Sequence, residues 1–305
     1  MSATMIGERT PARTRPASPR AVVAALATAE SRRHLRSPLL WVGVALSGAF
    51  AWVTMDQPDD WAGARYQAAP ILVGPLLLVI SIAVAGSFHR ERLGVSEEAP
   101  VGEALRSTGR LVGALAPVAV VAVLTAAGAI WVRQQGGLDI GEEPGRTLHA
   151  QFTLPELLQP VVLALLAVAV GAAAGRRLRH RATSTLLLFV GWFPVVLVYW
   201  GFQSRQVIPL SIVQTQPVSL PVGPISANPL DFPASWLLTQ PGEYQDHWAR
   251  QFVSGLLAAG HDVWLLGLTC LFLAVALPRH RRPVLLGLGT LLAAGGLALQ
   301  YAVIP

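Results

Sequence analysis

The chain has 305 residues, of which 53% are hydrophobic and 13% charged, with a formal net charge of +6. Soluble domains carry about 25% charged residues, so an ordinary water-soluble fold is excluded and a bundle of membrane-spanning helices is expected. The basic residues are all arginine and gather in short clusters between apolar runs, the distribution that membrane orientation produces rather than nucleic-acid binding.

Residues 1–20 mix Arg, Pro, Ser and Thr without periodicity and read as a disordered cytoplasmic tail. Ser18 and Pro19 then form a helix start. The stretch 21–36 sets Val22, Val23 and Leu26 on one side and ends in Arg32, Arg33 and Arg36. It is expected to be an amphipathic helix lying on the inner membrane surface, its arginines reaching toward headgroups. Arg32-Arg33 before an apolar run also resembles a twin-arginine export signal. Six further apolar segments follow it, however, where such a signal would precede a soluble passenger.

Seven apolar segments are expected to span: 39–55, 68–88, 111–132, 155–175, 183–202, 263–277 and 284–303. Most have about 20 residues, enough to cross about 30 Å of hydrocarbon. The sixth is short and extends backward through Phe252–Ala259. With the N-terminus inside, 18 arginines fall on inner pieces and five on outer ones. Every inner loop then carries a cluster, as the positive-inside rule requires. The fold class is therefore all-α integral membrane: an inner-surface helix, then six to seven spans in a domain covering 37–305. Cys270 lies within the sixth span, where it packs as a small side chain and forms no intrachain disulfide.

The outer loop 203–262 is proline-rich in its first half. Its apolar patches Ser235–Leu238 and Phe252–Ala259 are expected to form short helices on, or dipping into, the outer face. Phosphate loops, metal-type His/Glu pairs and nucleophile elbows are missing from the sequence, so neither a catalytic nor a metal site is expected. The span cores as bounded contain no Asp, Glu, Arg or His. Ion-coupled transporters keep such groups near the midplane, so any transport must draw its energy from outside the bundle. The nearest exceptions, His261 and Asp262, read as the exposed start of the sixth helix with Asp262 as its cap, or, together with Trp236, as an outer gate.

The inner loop 89–110, HRERLGVSEEAPVGEALRSTGR, concentrates charge between two spans. A helix over Ser96–Arg106 is expected, with Ser96 as cap and Glu97 and Glu98 at its positive end. Arg90, Arg92, Glu97, Glu98, Arg106 and Arg110 are the candidate docking residues for a soluble partner. Gly171 and Gly175 have the G-x-x-x-G spacing of a dimerisation face.

This arrangement resembles the permease subunits of ABC-2 type (type V exporter) ABC transporters. AESRRHLRSPLLWVG looks like that family's elbow helix, and RERLGVSEEAPVGEALRSTGRLVGALAP like its coupling-helix loop. The resemblance implies a bacterial cytoplasmic membrane protein that works as a homodimer or with a second permease. It also implies a separate ABC ATPase subunit that binds ATP and Mg, no cofactor in this chain, and export of a lipidic, amphipathic or peptide substrate. Its seventh span departs from the family's six. The alternative is a non-transporting membrane anchor, assembly or regulatory protein.

Overall fold

The computed structural model describes residues 18–55, 73–90, 101–139, 149–201, 205–213, 218–234, 236–239, 241 and 245–305. The chain is mostly helical. It runs through α1 (Pro19–Leu35), α2 (Pro38–Met55), α3 (Gly74–Arg90), α4 (Glu103–Gly113), α5 (Leu115–Gln134), α6 (Leu154–Arg177), α7 (Arg181–Gly201), α8 (Gly255–Ala276) and α9 (Arg282–Val303). Among the described residues, four stretches are long and apolar enough to cross a membrane: α4 with α5, α6, α8 and α9. They become five if α1 and α2, bent by 53° at their junction, count as one span. The expected second span begins in residues outside the described set, and α3 itself has 17 residues. The tail 1–17 and residues Arg92, Ser96, Glu97 and Glu98 also lie outside it.

The start of α1 follows from its sequence. Ser18 Oγ accepts from the Ala21 amide at 3.3 Å, and Pro19 occupies the first turn, where its missing N–H costs nothing. The face of α1 turned into the protein carries Ala27, Glu30 and His34. It packs on α4, where close approach depends on glycine: a Cβ at Gly109 would lie 2.7 Å from Leu26 Cβ, and one at Gly113 2.8 Å from the Ala27 carbonyl.

The core lies between α3, α6 and α8. Leu76, Ile80, Val84 and Phe88 of α3 meet Leu163, Ala164 and Ala172 of α6 and Leu265 of α8, all buried. Gly171 and Gly175 let α6 approach the α3 backbone at Ser81 and Ala85; a Cβ at 175 would stand 2.5 Å from the Ala85 carbonyl oxygen. The expected dimerisation pair is therefore used inside the chain, because only hydrogen fits between two backbones at that separation. Gly260 and Gly267 of α8 likewise lie against Gly296 and Gly289 of α9. Apolar side chains also cover the outside: Trp52, Val123, Leu291 and Val284 are each at least 68% exposed. Soluble monomers do not expose apolar surface on this scale, and a lipid-facing bundle does.

The described residues of the long connection between α7 and α8 form strands and two short 3-10 turns, with no α-helix among them. After the short pair β1 (Leu138–Asp139) and β2 (His149–Ala150) between α5 and α6, β3 (Val218–Pro224), β4 (Leu237–Thr239) and β5 (His247–Phe252) form an antiparallel sheet in the order β3–β5–β4. The short helices expected over 234–259 are thus replaced by two strands and the first turn of α8. β5 sits centrally and keeps its ladder on both sides, while prolines 221 and 224 fall on edge strand β3, beside an irregularity between Pro221 and Gly223. Before the sheet, residues 205–213 are fastened to the end of α9. The Tyr301 hydroxyl donates to the Gln206 carbonyl at 2.7 Å, and Ile208 packs with Leu257 and Ile304.

Candidate functional site

The arginine-rich ends of the helices meet in a charged junction. Glu30 of α1 is buried and accepts from Arg90 Nη2, the last residue of α3, at 3.0 Å. Arg33 and His34 approach the same carboxylate at 3.7 and 3.5 Å. A buried carboxylate needs such partners, since its desolvation would otherwise outweigh any gain. Glu103, in the first turn of α4, pairs with Arg176 at the end of α6. His89 of α3 and Ser184 of α7 share a hydrogen bond of 2.8 Å, and Ser31 Oγ donates to the Gly113 carbonyl at 3.2 Å. Five helices are thereby tied together at one end.

The candidate docking residues divide within this junction. Arg90 faces inward to Glu30, Arg110 stacks over the Phe88 ring at 6.0 Å, and Arg106 donates to the Val101 carbonyl. Arg92, Glu97 and Glu98 lie outside the described residues. The described helix of this loop starts at Glu103 with Gly102 as its cap, later than the expected Ser96 start, and continues through Ala114 into α5. At 1.5 Å per residue, the 32 residues from Glu103 to Gln134 measure about 48 Å, well beyond a hydrocarbon core of about 30 Å. Its first third, α4, is the polar part, and a layer of that thickness takes up only about 20 of the 32 residues. Sequence reasoning missed Glu30, Glu103 and Arg176. The signal for Glu30 was its place as the lone acid of α1, one turn before Arg33 and His34.

Between α3, α6, α7 and α8 runs an apolar groove of about 480 Å³. Leu77 and Ser81 of α3, Leu163 and Val170 of α6, Trp192 of α7 and Phe272 of α8 line it. Arg177 stands at its arginine-rich end and is the one charged side chain among the described lining residues. Ile212 and Val213, from the segment fastened to α9, bound its other end.

Beyond that stopper lies a polar layer. Ser254, not Asp262, caps α8, accepting from the Leu257 amide at 3.4 Å. His261 and Asp262 fall two turns inside the helix, at 0% and 8% exposure. The expectation of an exposed helix start fails because the apolar run Gly255–Ala259 extends the helix backward and draws both residues into the bundle. His261 Nδ1 lies 3.3 Å from Gln300 Oε1 of α9, and its ring is beside Trp264 and the Ile212 backbone. Gln159 of α6 is buried at the same depth, since Gly255 abuts Thr153 and both helices run in the same direction from there. The side chains of Asp262, Gln159 and Ser211 each bury a polar atom that meets no partner among the described residues. Trp236 belongs elsewhere: it stacks on Phe232 and under the Arg250 guanidinium at 4.4 Å, on the sheet. The three candidate gate residues are thus not one group.

No group of three His, Cys, Asp or Glu among the described residues could hold a metal. Compared with models of protein families and with curated proteins, the chain matches none.

Proposed function

We propose that this chain is the membrane-spanning subunit of an ATP-driven exporter of the ABC-2 kind, working as a pair with a second permease and driven by separate ATPase subunits that carry ATP and Mg. The arginine-rich end faces the cytoplasm of a bacterial cell. The observation that carries the reading is the 32-residue length of α4 and α5, longer than a hydrocarbon core and tied at its arginine-rich end to α1 and α6. A partner pushing on α4 moves five helices together. The groove between α3, α6, α7 and α8 is the path for a lipidic, amphipathic or peptide substrate, closed toward the outside by Ile212 and Val213. ATP binding narrows its inner end and lifts the 205–213 segment away. The polar layer of Gln159, His261, Asp262 and Gln300 is then the outer gate, hydrated when that segment moves.

Of the loop acids, Glu103 is already paired with Arg176, and of Glu91, Glu97 and Glu98 the adjacent pair Glu97 and Glu98 is the one the ATPase recognises. Isolation of the native complex tests this: an ATPase subunit co-purifies, and reversing Glu97 and Glu98 to Arg together removes both it and ATP turnover. Unchanged partner binding and turnover in that double variant would refute docking at this loop. A second reading, a non-transporting anchor or assembly protein, is favoured by the inward pairing of Arg90 and Arg106. It predicts a co-purifying partner without ATP turnover.

A further inference from the structure

The groove differs from an ordinary lipid-facing furrow in having a cation at one end and a plug at the other. Its α6 wall, from Leu163 to Arg177, is about 21 Å long at 1.5 Å per residue. One leaflet contributes about 15 Å to the hydrocarbon core, so the groove accommodates a whole extended chain and reaches past the midplane. Its volume lies within the range of about 300–1,000 Å³ typical of pockets that enclose a small ligand. Arg177 ends α6, where the helix dipole also favours a cation, and it is exposed with no ion pair among the described residues. Its neighbour Arg176, by contrast, is held by Glu103. Arg179 follows in the turn between α6 and α7, and Arg181 opens α7.

We infer that this groove is a binding site for a single-chain segment of an anionic amphiphile from the arginine-side leaflet, with its acidic headgroup on Arg177 and its acyl chain along Val170, Leu163 and Trp192. Arginine suits that headgroup because its planar fork pairs with phosphate or carboxylate oxygens two at a time. Ser81 is no rival for the headgroup, since its hydroxyl already donates to the Leu78 carbonyl at 2.7 Å. The chain's far end stops at Ile212 and Val213, so an occupant presses on the segment that shields His261. As the substrate class for transport, this assignment rests on the exporter reading; as a binding site, it stands without it.

Trp192 reports occupancy. The full-length protein is reconstituted in phosphatidylcholine vesicles containing a minor share of phosphatidylglycerol brominated along its chain, or the same share of brominated phosphatidylcholine. The difference in quenching between the native chain and Trp192→Phe isolates the signal of this indole. The anionic lipid is expected to quench it at about fivefold lower concentration than the zwitterionic one, the size of one basic residue's pull on an anionic headgroup. Arg177→Gln abolishes that preference. Gly191→Phe, at a groove-lining position where an added Cβ meets nothing within 4 Å, fills the path and removes quenching by both lipids. Equal quenching by the two lipids, unaltered by Arg177→Gln, would mean ordinary annular lipid and overturn the site. So would a Trp192 shielded from both lipids, with Gly191→Phe changing the oligomeric state, since a second copy would then occupy the groove. These measurements need no ATPase, so lipid binding without any effect on ATP turnover in the native complex would leave the site standing and remove the exporter reading instead.

Discussion

Glu30 holds Arg90, Arg33 and His34 around one buried carboxylate, so its removal leaves cations without their counter-charge. Breaking a fully buried pair costs about 3–5 kcal/mol. Because about a third of the Arg90 side chain remains exposed, Glu30→Gln is expected to cost about 1–3 kcal/mol. The measurement is the unfolding midpoint of the detergent-solubilised protein, with Arg90→Gln added to the same chain recovering part of the loss. His34 provides a pH test. Burial holds its imidazole below the usual histidine range, with Glu30 pulling against that and the Arg90 and Arg33 guanidinia adding to it. The unfolded chain therefore takes up a proton that the folded chain resists. This contribution to stability is complete above about pH 6.5 and is lost as the pH falls below it. The unfolding midpoint should drop on acidification through that range, and less steeply in His34→Gln. A midpoint equally pH-dependent in both proteins would show that His34 does not titrate this way. At this scale the sequence was legible where chemistry is local, as at the Ser18 cap. It was opaque where partners lie far apart, as with Glu30 and Arg90, which are 60 positions apart.

Hydropathy marked the apolar helices, but among the described residues four, or five with α1 and α2 joined, are long and apolar enough to span where six to seven were expected, and it gave neither their ends nor their neighbours. The backward extension of α8 was visible as an apolar run before His261, yet two charged-type residues in its path argued for an exposed start. Burial among α6, α9 and the 205–213 segment is a tertiary property that no window on the sequence contains. Similarly, the spacing of Gly171 and Gly175 announces a close helix contact without saying whether the other helix belongs to the same chain. The structure answers with α3. Gly171→Leu should therefore force α6 off the Ser81 backbone and cost about 1–3 kcal/mol or more, as overpacking does. Gly128→Leu, where an added Cβ meets nothing within 4 Å, is the matched control and should leave the unfolding midpoint almost unchanged. Equal effects from both would mean that α3 and α6 do not depend on this approach. The sheet β3–β5–β4 was hidden by proline, which read as irregular loop until one edge strand was found to carry it.

For the whole molecule, composition alone announced a membrane bundle, and the apolar exterior of α2, α5 and α9 agrees with it. The groove was not legible, because its walls come from four helices and the 212–213 segment, and nearly every lining residue is an ordinary apolar one. The polar layer revises the idea of an interior empty of titratable groups: His261 and Asp262 are buried within a helix long enough to span. Both lie in the half of α8 away from the arginine-rich junction, beside Ile212. In the exporter reading we propose, a push on α4 reaches the groove. Spin labels at Leu187 of α7 and Phe272 of α8, both exposed side chains on the groove lining, measure its width directly in the native complex. The distance should shorten when ATP binds, and should not change in the complex carrying Glu97→Arg and Glu98→Arg. A distance that stays constant while the intact complex hydrolyses ATP would contradict the account.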